Sequence, residues 1–229
     1  MEIPFYAIAA SVSSGNRIVR FHGAGEEIFW DIPRLRHMGF DVSIPAAPQR
    51  GPDESLELRS GDRKLLRLYQ DGSLLFRARA DHEFLGWGVE PAKFSLFPKL
   101  NPVAVVEVHA SFVQLYRRVI ENLKKPVQEV SFRLSLVNGV WGGGRLFLTP
   151  YFPSGSVDWG AVTRYKLQED PAEAQITVTR EGVMEAPARV AYQLLEEFAS
   201  WFDMDSEDIP FVRDVDGTRE IDIDAIVAL

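Results

Sequence analysis

The sequence predicts an α+β protein in which mostly antiparallel sheet, built from hairpins, packs against two long amphipathic helices at about residues 101–125 and 187–203. Three observations lead to this class. The dipeptide Asp71-Gly72 separates two aliphatic runs, apolar and polar residues alternate strictly over 129–136, and both helical segments repeat apolar residues every three or four positions. The order strands, helix, strands, helix, with short connections between strands, favours antiparallel pairing.

Two strands are predicted at the N-terminus. Residues 3–11 and 17–21 are rich in aliphatic and aromatic side chains and flank a polar turn at 13–16. The pattern over 26–40 fits no single element, and a short helix at 33–38 is one interpretation of it. Three prolines and a glycine within 43–53 predict a loop.

The clearest hairpin follows this loop. Residues 64–70 and 73–80 form its strands, and Asp71-Gly72 is predicted to be a two-residue turn whose twist suits antiparallel pairing. Residues 81–100 are aromatic and irregular, and they lead into the first long helix.

Local signals define that helix. Asn101 is a favourable N-cap, Pro102 suits the first helical position, and Pro126 ends the segment. The predicted apolar face consists of Val105, Val108, Phe112, Leu115, Val119 and Leu123. The predicted outer face consists of Glu107, Ser111, Gln114, Arg118, Glu121 and Lys125. His109 lies at the edge of the apolar face, where a packed and hydrogen-bonded histidine is expected rather than a metal ligand.

The second half of the chain repeats the sequence of strands and then a helix. The alternating strand 129–136 is predicted to turn at Asn138-Gly139 and to pair with a returning strand at 145–149. Two further strands are predicted at 161–167 and 175–180, followed by the helix 187–203. Residues 203–229 are predicted to be an acidic C-terminal tail with a small hairpin at Asp216-Gly217. We expect one domain over 1–229, with a subdivision near residue 126 as the alternative.

Composition narrows the class of protein. No apolar run approaches about 18 residues, so no membrane-spanning helix is predicted. The chain has no cysteine, which excludes disulfides, thiolate catalysis and cysteine-ligated metals. The N-terminal segment lacks the basic region of a secretory signal, and a cytoplasmic location is the expectation.

Charge is unevenly distributed along the chain. Residues 1–125 contain 17 Lys and Arg against 15 Asp and Glu, whereas residues 126–229 contain 8 against 18. The net charge of −8 does not support non-specific nucleic-acid binding, which requires clustered cations. We interpret the acidic excess as a solvated surface near the C-terminus, with an acidic interaction tail as the alternative.

No catalytic set is evident in the sequence. Asp53, Asp62 and Lys64 superficially match the two carboxylates and lysine of metal-dependent nucleases, which place both carboxylates on one divalent cation. The four histidines share no metal-ligand spacing, and the glycine runs lack the context of a phosphate loop. Neither a cofactor nor a metal site is therefore predicted.

A cationic strand face is the strongest binding candidate. Arg67 on one strand of the 64–80 hairpin and Arg77 and Arg79 on the other are predicted to gather with Arg59 and Lys64. Phe84 and Trp87 follow in the aromatic segment, and basic residues beside aromatic ones are typical of surfaces that hold single-stranded nucleic acid or a peptide. A solvated strand face beside core aromatics is the more common source of such a pattern.

Three stretches carry a family resemblance: RSGDRKLLRLYQDGSLLFRARADHEFLGWG (59–88), LNPVAVVEVHASFVQLYRRV (100–119) and PVQEVSFRLSLVNGVWGG (126–143). Together they resemble the accessory regions that follow AlbA-like, Schlafen-type DNA-binding domains in bacterial proteins. The chain lacks the glycine-rich turn of the DNA-binding domain itself. The resemblance therefore implies an accessory or sensing module, and it assigns no functional residue.

These observations favour a non-catalytic accessory or interaction protein. It is expected to bind a protein partner or to form a homodimer, or to regulate a nucleic-acid-associated bacterial system of the defence type. Two alternatives remain open. One is a metal-dependent nuclease using Asp53, Asp62 and Lys64, and the other is a single-stranded nucleic-acid binder using Arg67, Arg77 and Arg79.

Overall fold

Seven strands form one antiparallel sheet, the largest sheet among the described residues. The computed structural model describes residues 3–13, 15–19, 21, 24–30, 48–80, 85, 98–141, 144–151 and 164–228. The strands are β1 (Phe5–Val12), β2 (Gln49–Arg50), β3 (Leu56–Ser60), β4 (Lys64–Leu68), β5 (Leu74–Arg79), β6 (Lys99–Leu100), β7 (Glu129–Val137), β8 (Val140–Trp141), β9 (Gly144–Arg145), β10 (Phe147–Leu148), β11 (Tyr165–Lys166), β12 (Ala172–Thr179), β13 (Val212–Val215) and β14 (Thr218–Ile221). The helices are α1 (Ala24–Trp30), α2 (Pro102–Glu121), α3 (Arg180–Glu185), α4 (Pro187–Ser200) and α5 (Ile223–Ala228).

The predicted α+β class is confirmed. The large sheet has the order β12-β7-β1-β5-β4-β3-β2, and all of its neighbouring strands are antiparallel. Strands from both sides of residue 126 share it, since β1 and β5 precede that residue and β7 follows it. None of the described helices is both long enough and apolar enough to cross a membrane.

The predicted pairing of 3–11 with 17–21 is wrong. Both edges of β1 are occupied by other strands, because Ile8 lies opposite Phe76 of β5 on one side and opposite Leu134 of β7 on the other. Ile18 instead forms an isolated bridge with Leu123, just beyond the end of α2. Of the 43–53 loop, residues 49–50 form the short edge strand β2, and the helix suggested at 33–38 lies outside the described residues.

The hairpin around Asp71-Gly72 is confirmed, although its turn is longer than predicted. The N–H of Tyr69 donates to the carbonyl of Ser73, which leaves three residues in the loop. The N–H of Gly72 returns to the carbonyl of Tyr69, and Gly72 has a φ of +89°. This is a turn followed by a residue in the left-handed region, the usual form of a three-residue hairpin loop.

Helix α2 begins where the sequence predicts. The side-chain oxygen of Asn101 accepts from the N–H of Val103 at 2.9 Å, and Pro102 occupies the first helical position. The helix ends at Glu121, earlier than the predicted 125, because the chain turns away to form the bridge between Leu123 and Ile18.

Replacing the cap should destabilise the protein. We expect Asn101→Ala to lower the free energy of unfolding by about 1–2 kcal/mol, because Asn101 is fully buried and the N–H of Val103 loses its acceptor. Asn101→Ser retains an acceptor oxygen and should lose clearly less. Urea denaturation followed by circular dichroism measures both variants, and equal losses would contradict the capping role.

The predicted outer face of α2 is partly wrong. Glu107 and Ser111 are buried, at 2% and 0% exposure, whereas Gln114 and Arg118 are half-buried and Glu121 at the end of the helix is exposed. Periodicity identified the more apolar face correctly but could not show that the first half of the helix is enclosed on every side.

Strand β7 is confirmed, but its predicted partner is wrong. The strand pairs with β1 and β12, whereas residues 145–149 are divided between β9 and β10. Strand β10 joins a second, three-stranded sheet, parallel to β6 and antiparallel to β11. The strands predicted at 161–167 and 175–180 are therefore not a hairpin, because β11 and β12 belong to different sheets.

The second long helix is confirmed as α4, which ends at Ser200, and a short helix, α3, that the sequence did not reveal precedes it. The hairpin at Asp216-Gly217 is also confirmed as β13 and β14, with φ of 53° and 74° at these two residues. The C-terminal residues are folded, since Ile221 and Ile226 are fully buried. Most of the acidic residues of this segment are exposed on folded structure, which corrects the expectation of a tail.

The helices α2 and α4 cover one face of the large sheet, which we call the inner face. Phe132 of β7 packs against Phe112 and Tyr116 of α2, with ring centroids 6.3 and 5.7 Å apart. Tyr6 of β1 packs edge-on against Phe198 of α4 at 5.2 Å. The opposite, outer face retains half-exposed side chains along β1, β4 and β5.

Candidate binding face

The outer face of the large sheet brings together the predicted arginines. Alternation along β5 turns Leu74, Phe76 and Ala78 inward, so that Leu75, Arg77 and Arg79 lie on the outer face. The cross-strand register then aligns residues from five strands on the same side. We call this set the arginine face, and it comprises Arg59, Arg67, Arg77, Arg79 and Arg133 around Phe5, Ala7, Ala9, Leu65 and Leu75.

Its apolar centre is half-buried. In β1, Ala7 lies between Ser135 of β7 and Arg77 of β5, and Ala9 lies between Arg133 and Leu75. The short side chains of the two alanines leave a flat strip between the arginines on either side. Phe5, Leu65 and Leu75 extend the strip, and all of them remain partly exposed.

Glu57 fixes one end of the arginine face. Its Oε2 accepts from Nε of Arg59 at 2.6 Å, and its Oε1 lies 2.5 Å from Nη2 of Arg67. Burial acts to raise the pKa of Glu57, but hydrogen bonds and charge from the two arginines outweigh burial and lower the pKa below its ordinary value. Arg67 also donates to the hydroxyl of Tyr69 at 3.1 Å, so its guanidinium is held in place.

Arg79 is paired in a different way. It forms a salt bridge with Asp62 in the turn between β3 and β4, and its backbone N–H donates to the carbonyl of Arg63. Asp62 is largely exposed, at 74% of its side chain. This pair ties β5 to the β3–β4 turn at the rim of the face.

Arg77 is the exposed cation at the centre. Its guanidinium carbon lies 4.1 Å from the centroid of the Phe5 ring, within the range of a cation–π contact. Within the described part of the chain no carboxylate pairs with it. It also lines a depression of about 210 Å³, together with Phe5, Arg59, Leu65 and residues 61–64.

A second, more polar depression lies at the other end of β1. Its volume is about 540 Å³, and hydroxyl and amide groups of β1, β7 and β12 line it, among them Ser11, Ser131, Gln175 and Thr177. The outer face therefore changes along β1 from cationic and apolar near Phe5 to polar near Ser11, where Glu129 supplies a carboxylate.

Of the binding residues predicted from sequence, Arg67, Arg77 and Arg79 share the outer face. Phe84 and Trp87 lie outside the described residues. Sequence reasoning missed Phe5, Arg133 and Glu57. Alternation within 129–136 placed Arg133 on one face of its own strand, but only the pairing of β1 with both β5 and β7 shows that Phe5 and Arg133 share a face with Arg77.

The residues of the nuclease hypothesis are not brought together. Asp53 lies in the turn before β3, with a φ of 56°, and Asp62 lies in the turn after it. A five-residue strand spans about 13 Å between its first and last residues, so the two aspartates lie at opposite ends of β3. Asp62 is also engaged by Arg79. Among the described residues, no group of three or more histidine, aspartate or glutamate side chains is placed to hold a metal ion.

Comparison of the chain with protein-family models, with curated proteins and with solved structures finds no match. The chemistry of the face is therefore the basis for assigning a function.

Proposed function

We propose that this protein is a non-catalytic interaction protein and that the arginine face binds a protein partner carrying acidic and apolar side chains. The observation that carries the proposal is the position of Arg77, exposed and stacked on Phe5 beside a half-buried apolar strip. Arginine and aromatic residues around an apolar centre are the composition that protein interfaces favour.

The salt bridges within the arginine face support binding of a partner with a defined arrangement of acidic and apolar side chains. Glu57 and Asp62 already neutralise part of the charge of Arg59, Arg67 and Arg79, and these contacts hold the three guanidinium groups in fixed positions. Arg77 and Arg133 supply charge on either side of Ala7 and Ala9. A carboxylate from a partner can pair with Arg77 in bidentate geometry, while an apolar side chain packs on the alanine strip.

The same observations favour protein over nucleic acid. A strand of nucleic acid needs several cations along its path and aromatic rings on which bases stack. Here three of the five arginines are bound to carboxylates of the chain, and the ring of Phe5 is covered by Arg77. The net charge of −8 opposes a polyanion at long range.

We place the interaction in the bacterial cytoplasm, in keeping with the absence of cysteine from the sequence. The resemblance to accessory regions of AlbA-like, Schlafen-type proteins supports a role beside a nucleic-acid-associated system of the defence type. In that role the protein acts as a regulatory or sensing subunit, and its partner carries the contact with nucleic acid.

Arg77→Glu should abolish partner binding while leaving the fold intact, because Arg77 is exposed and its reversal repels an acidic partner. Affinity capture from native cells, quantified by mass spectrometry, compares wild type with this variant. Arg117→Glu is the matched control, since it reverses an exposed charge on α2, away from the sheet. Thermal denaturation of both variants checks that they fold.

The result that supports the proposal is a protein retained by wild type and Arg117→Glu and lost from Arg77→Glu. Loss from both variants, or from neither, would contradict it. A titration of fluorescent single-stranded oligonucleotides tests the nucleic-acid alternative, which requires affinity that falls steeply with salt and disappears in Arg77→Glu. We expect no binding at physiological salt.

A further inference from the structure

The two edges of the large sheet are very different. One edge is β2, which has only two residues, whereas the other is β12, which has eight. Strand β12 pairs with β7 on one side, and no described strand pairs with its other side. An edge of this length presents a row of backbone groups that can accept another strand.

The register identifies which backbone groups point outward. The N–H of Arg180 donates to the carbonyl of Gln128, directly opposite, so this is a hydrogen-bonded pair. Such pairs alternate along an antiparallel ladder, and Ala172, Ala174, Ile176 and Val178 therefore bond towards β7. The backbone groups of Glu173, Gln175, Thr177 and Thr179 point to the open edge.

The side chains of β12 give that edge little protection against pairing with another strand. Exposed edges usually carry lysine, proline or a bulge that prevents pairing with another chain. Residues 172–179, AEAQITVT, contain none of these, and their only charge is Glu173. Isoleucine, valine and two threonines in the second half favour strand pairing.

We propose that β12 pairs with β12 of a second copy of this chain, antiparallel and about a two-fold axis at Gln175. The axis places Gln175 opposite Gln175 of the second copy and Glu173 opposite Thr177, so like charges never face each other. On the inner face, Ile176 lies opposite Ala174 and Val178 opposite Ala172.

The ends of the strand fit the same register. Thr179 caps α3, with its side chain accepting from the N–H of Gly182, and the carbonyl of a capping residue accepts the first bond of the helix. That carbonyl is therefore not free to pair across the edge. In the proposed register it faces Pro171 of the second copy, which has no N–H that would be left unpaired. Arg180 then lies across from Asp170 of the second copy, with opposite charge.

A dimer of this form joins two sheets into one of fourteen strands. The two-fold axis is perpendicular to the sheet, so both arginine faces lie on the same side. Seven strand spacings separate the two copies of β5, which places these two strands about 34 Å apart. The use of this pair of faces for bivalent binding rests on the proposed function, whereas the dimer itself does not.

Cysteine crosslinking tests the register, because the chain has no cysteine of its own. Gln175→Cys should form a disulfide-linked dimer under mild oxidation, since directly opposite residues in such a pair have Cα atoms about 5.5 Å apart. Ala174→Cys mixed with Ile176→Cys should crosslink better than either variant alone. Equal yields at all positions, or a maximum for Ile176→Cys alone, would overturn the stated register.

Two lysine substitutions on the same face of β12 provide a matched pair. Gln175→Lys places like charges opposite each other and should raise the dimer dissociation constant about two- to fivefold. Thr177→Lys adds the same charge two residues away, opposite Glu173 of the second copy. This substitution should lower the dimer dissociation constant. Sedimentation equilibrium over the micromolar range measures both constants. A monomeric wild type, or equal weakening by both substitutions, would contradict the proposal.

Discussion

Replacing Phe198 with alanine should lower the free energy of unfolding by about 3–5 kcal/mol, the cost of removing a large aromatic side chain from a packed core. Phe198 is fully buried on α4. Its ring lies 5.2 Å from that of Tyr6 on β1 and 5.5 Å from the imidazole of His109 on α2. Its removal therefore leaves a cavity where the sheet and both long helices meet.

Chemical denaturation at neutral pH measures this loss. Thermal denaturation should show a midpoint lower by about 6–20 °C, given some 2–4 °C for each kcal/mol in a protein of this size. Val227→Ala is the matched control, because Val227 is 57% exposed and its truncation should change stability by less than about 0.5 kcal/mol. A loss below about 1.5 kcal/mol for Phe198→Ala would show that Phe198 does not join the three elements.

Local signals in the sequence correctly predicted the features that depend on neighbouring residues, such as caps, alternation and turns. The cap at Asn101, the strict alternation of β7 and the positions of the glycine turns at residues 72 and 217 were identified correctly, although the turn at Gly72 is one residue longer than predicted. Each of these features depends on interactions between residues close together in the sequence, so the local sequence is enough to predict it. The same reasoning predicted the helix that carries Phe198.

Pairing between distant segments could not be predicted in the same way. Strand β7 joins β1, more than a hundred residues earlier, in preference to the nearby 145–149. The alternation of β7 does not distinguish between these two partners, because any strand with one apolar face could pair with β7 and keep its apolar side chains on the buried side. The burial of Glu107 and Ser111 follows from the same cause, since long-range packing decides what surrounds the first half of α2.

Only part of the arginine face could be predicted from the sequence, because its residues come both from one hairpin and from strands that are distant in the sequence. Arg67, Arg77 and Arg79 belong to one hairpin, but the face they share depends on its register, which the three-residue loop sets and the predicted two-residue turn would have shifted by one residue. Phe5 and Arg133 come from strands that meet the hairpin only through the order of the large sheet. The exposure of Arg77, which distinguishes it from its paired neighbours, depends on the positions of Glu57 and Asp62 and could not be read from spacing alone.

A buried histidine should make the stability of the protein fall with acid. His109 is fully buried, and its Nδ1 lies 2.8 Å from the carbonyl oxygen of Val105. A carbonyl only accepts, so Nδ1 carries the proton and the neutral Nε2 accepts from the hydroxyl of Tyr6, also at 2.8 Å. Burial lowers the pKa of His109 from 6.5 to about 4, although the hydrogen bond to Val105 acts in the opposite direction.

The sign of the effect follows from linkage. In the unfolded chain the histidine takes up a proton below pH 6.5, whereas in the folded protein it stays neutral until about pH 4. The unfolded state therefore binds more protons in this window, and acid favours unfolding. The contribution of neutral His109 to the free energy of unfolding is fully present above pH 6.5. As the pH falls to 4, this free energy decreases by about 3 kcal/mol.

Urea denaturation at pH 7.5, 6, 5 and 4, values chosen at roughly equal steps across this window, measures the effect. The reference is Tyr6→Phe/His109→Leu, which removes both partners of the buried hydrogen bond together and leaves no polar atom unpaired. Other titrating groups are common to both proteins, so the difference between their curves isolates His109. Wild type should lose about 3 kcal/mol more than the double variant over this range. Tyr6→Phe alone retains the histidine and should keep the steep dependence, whereas parallel curves for wild type and the double variant would show that His109 is already charged in the folded protein.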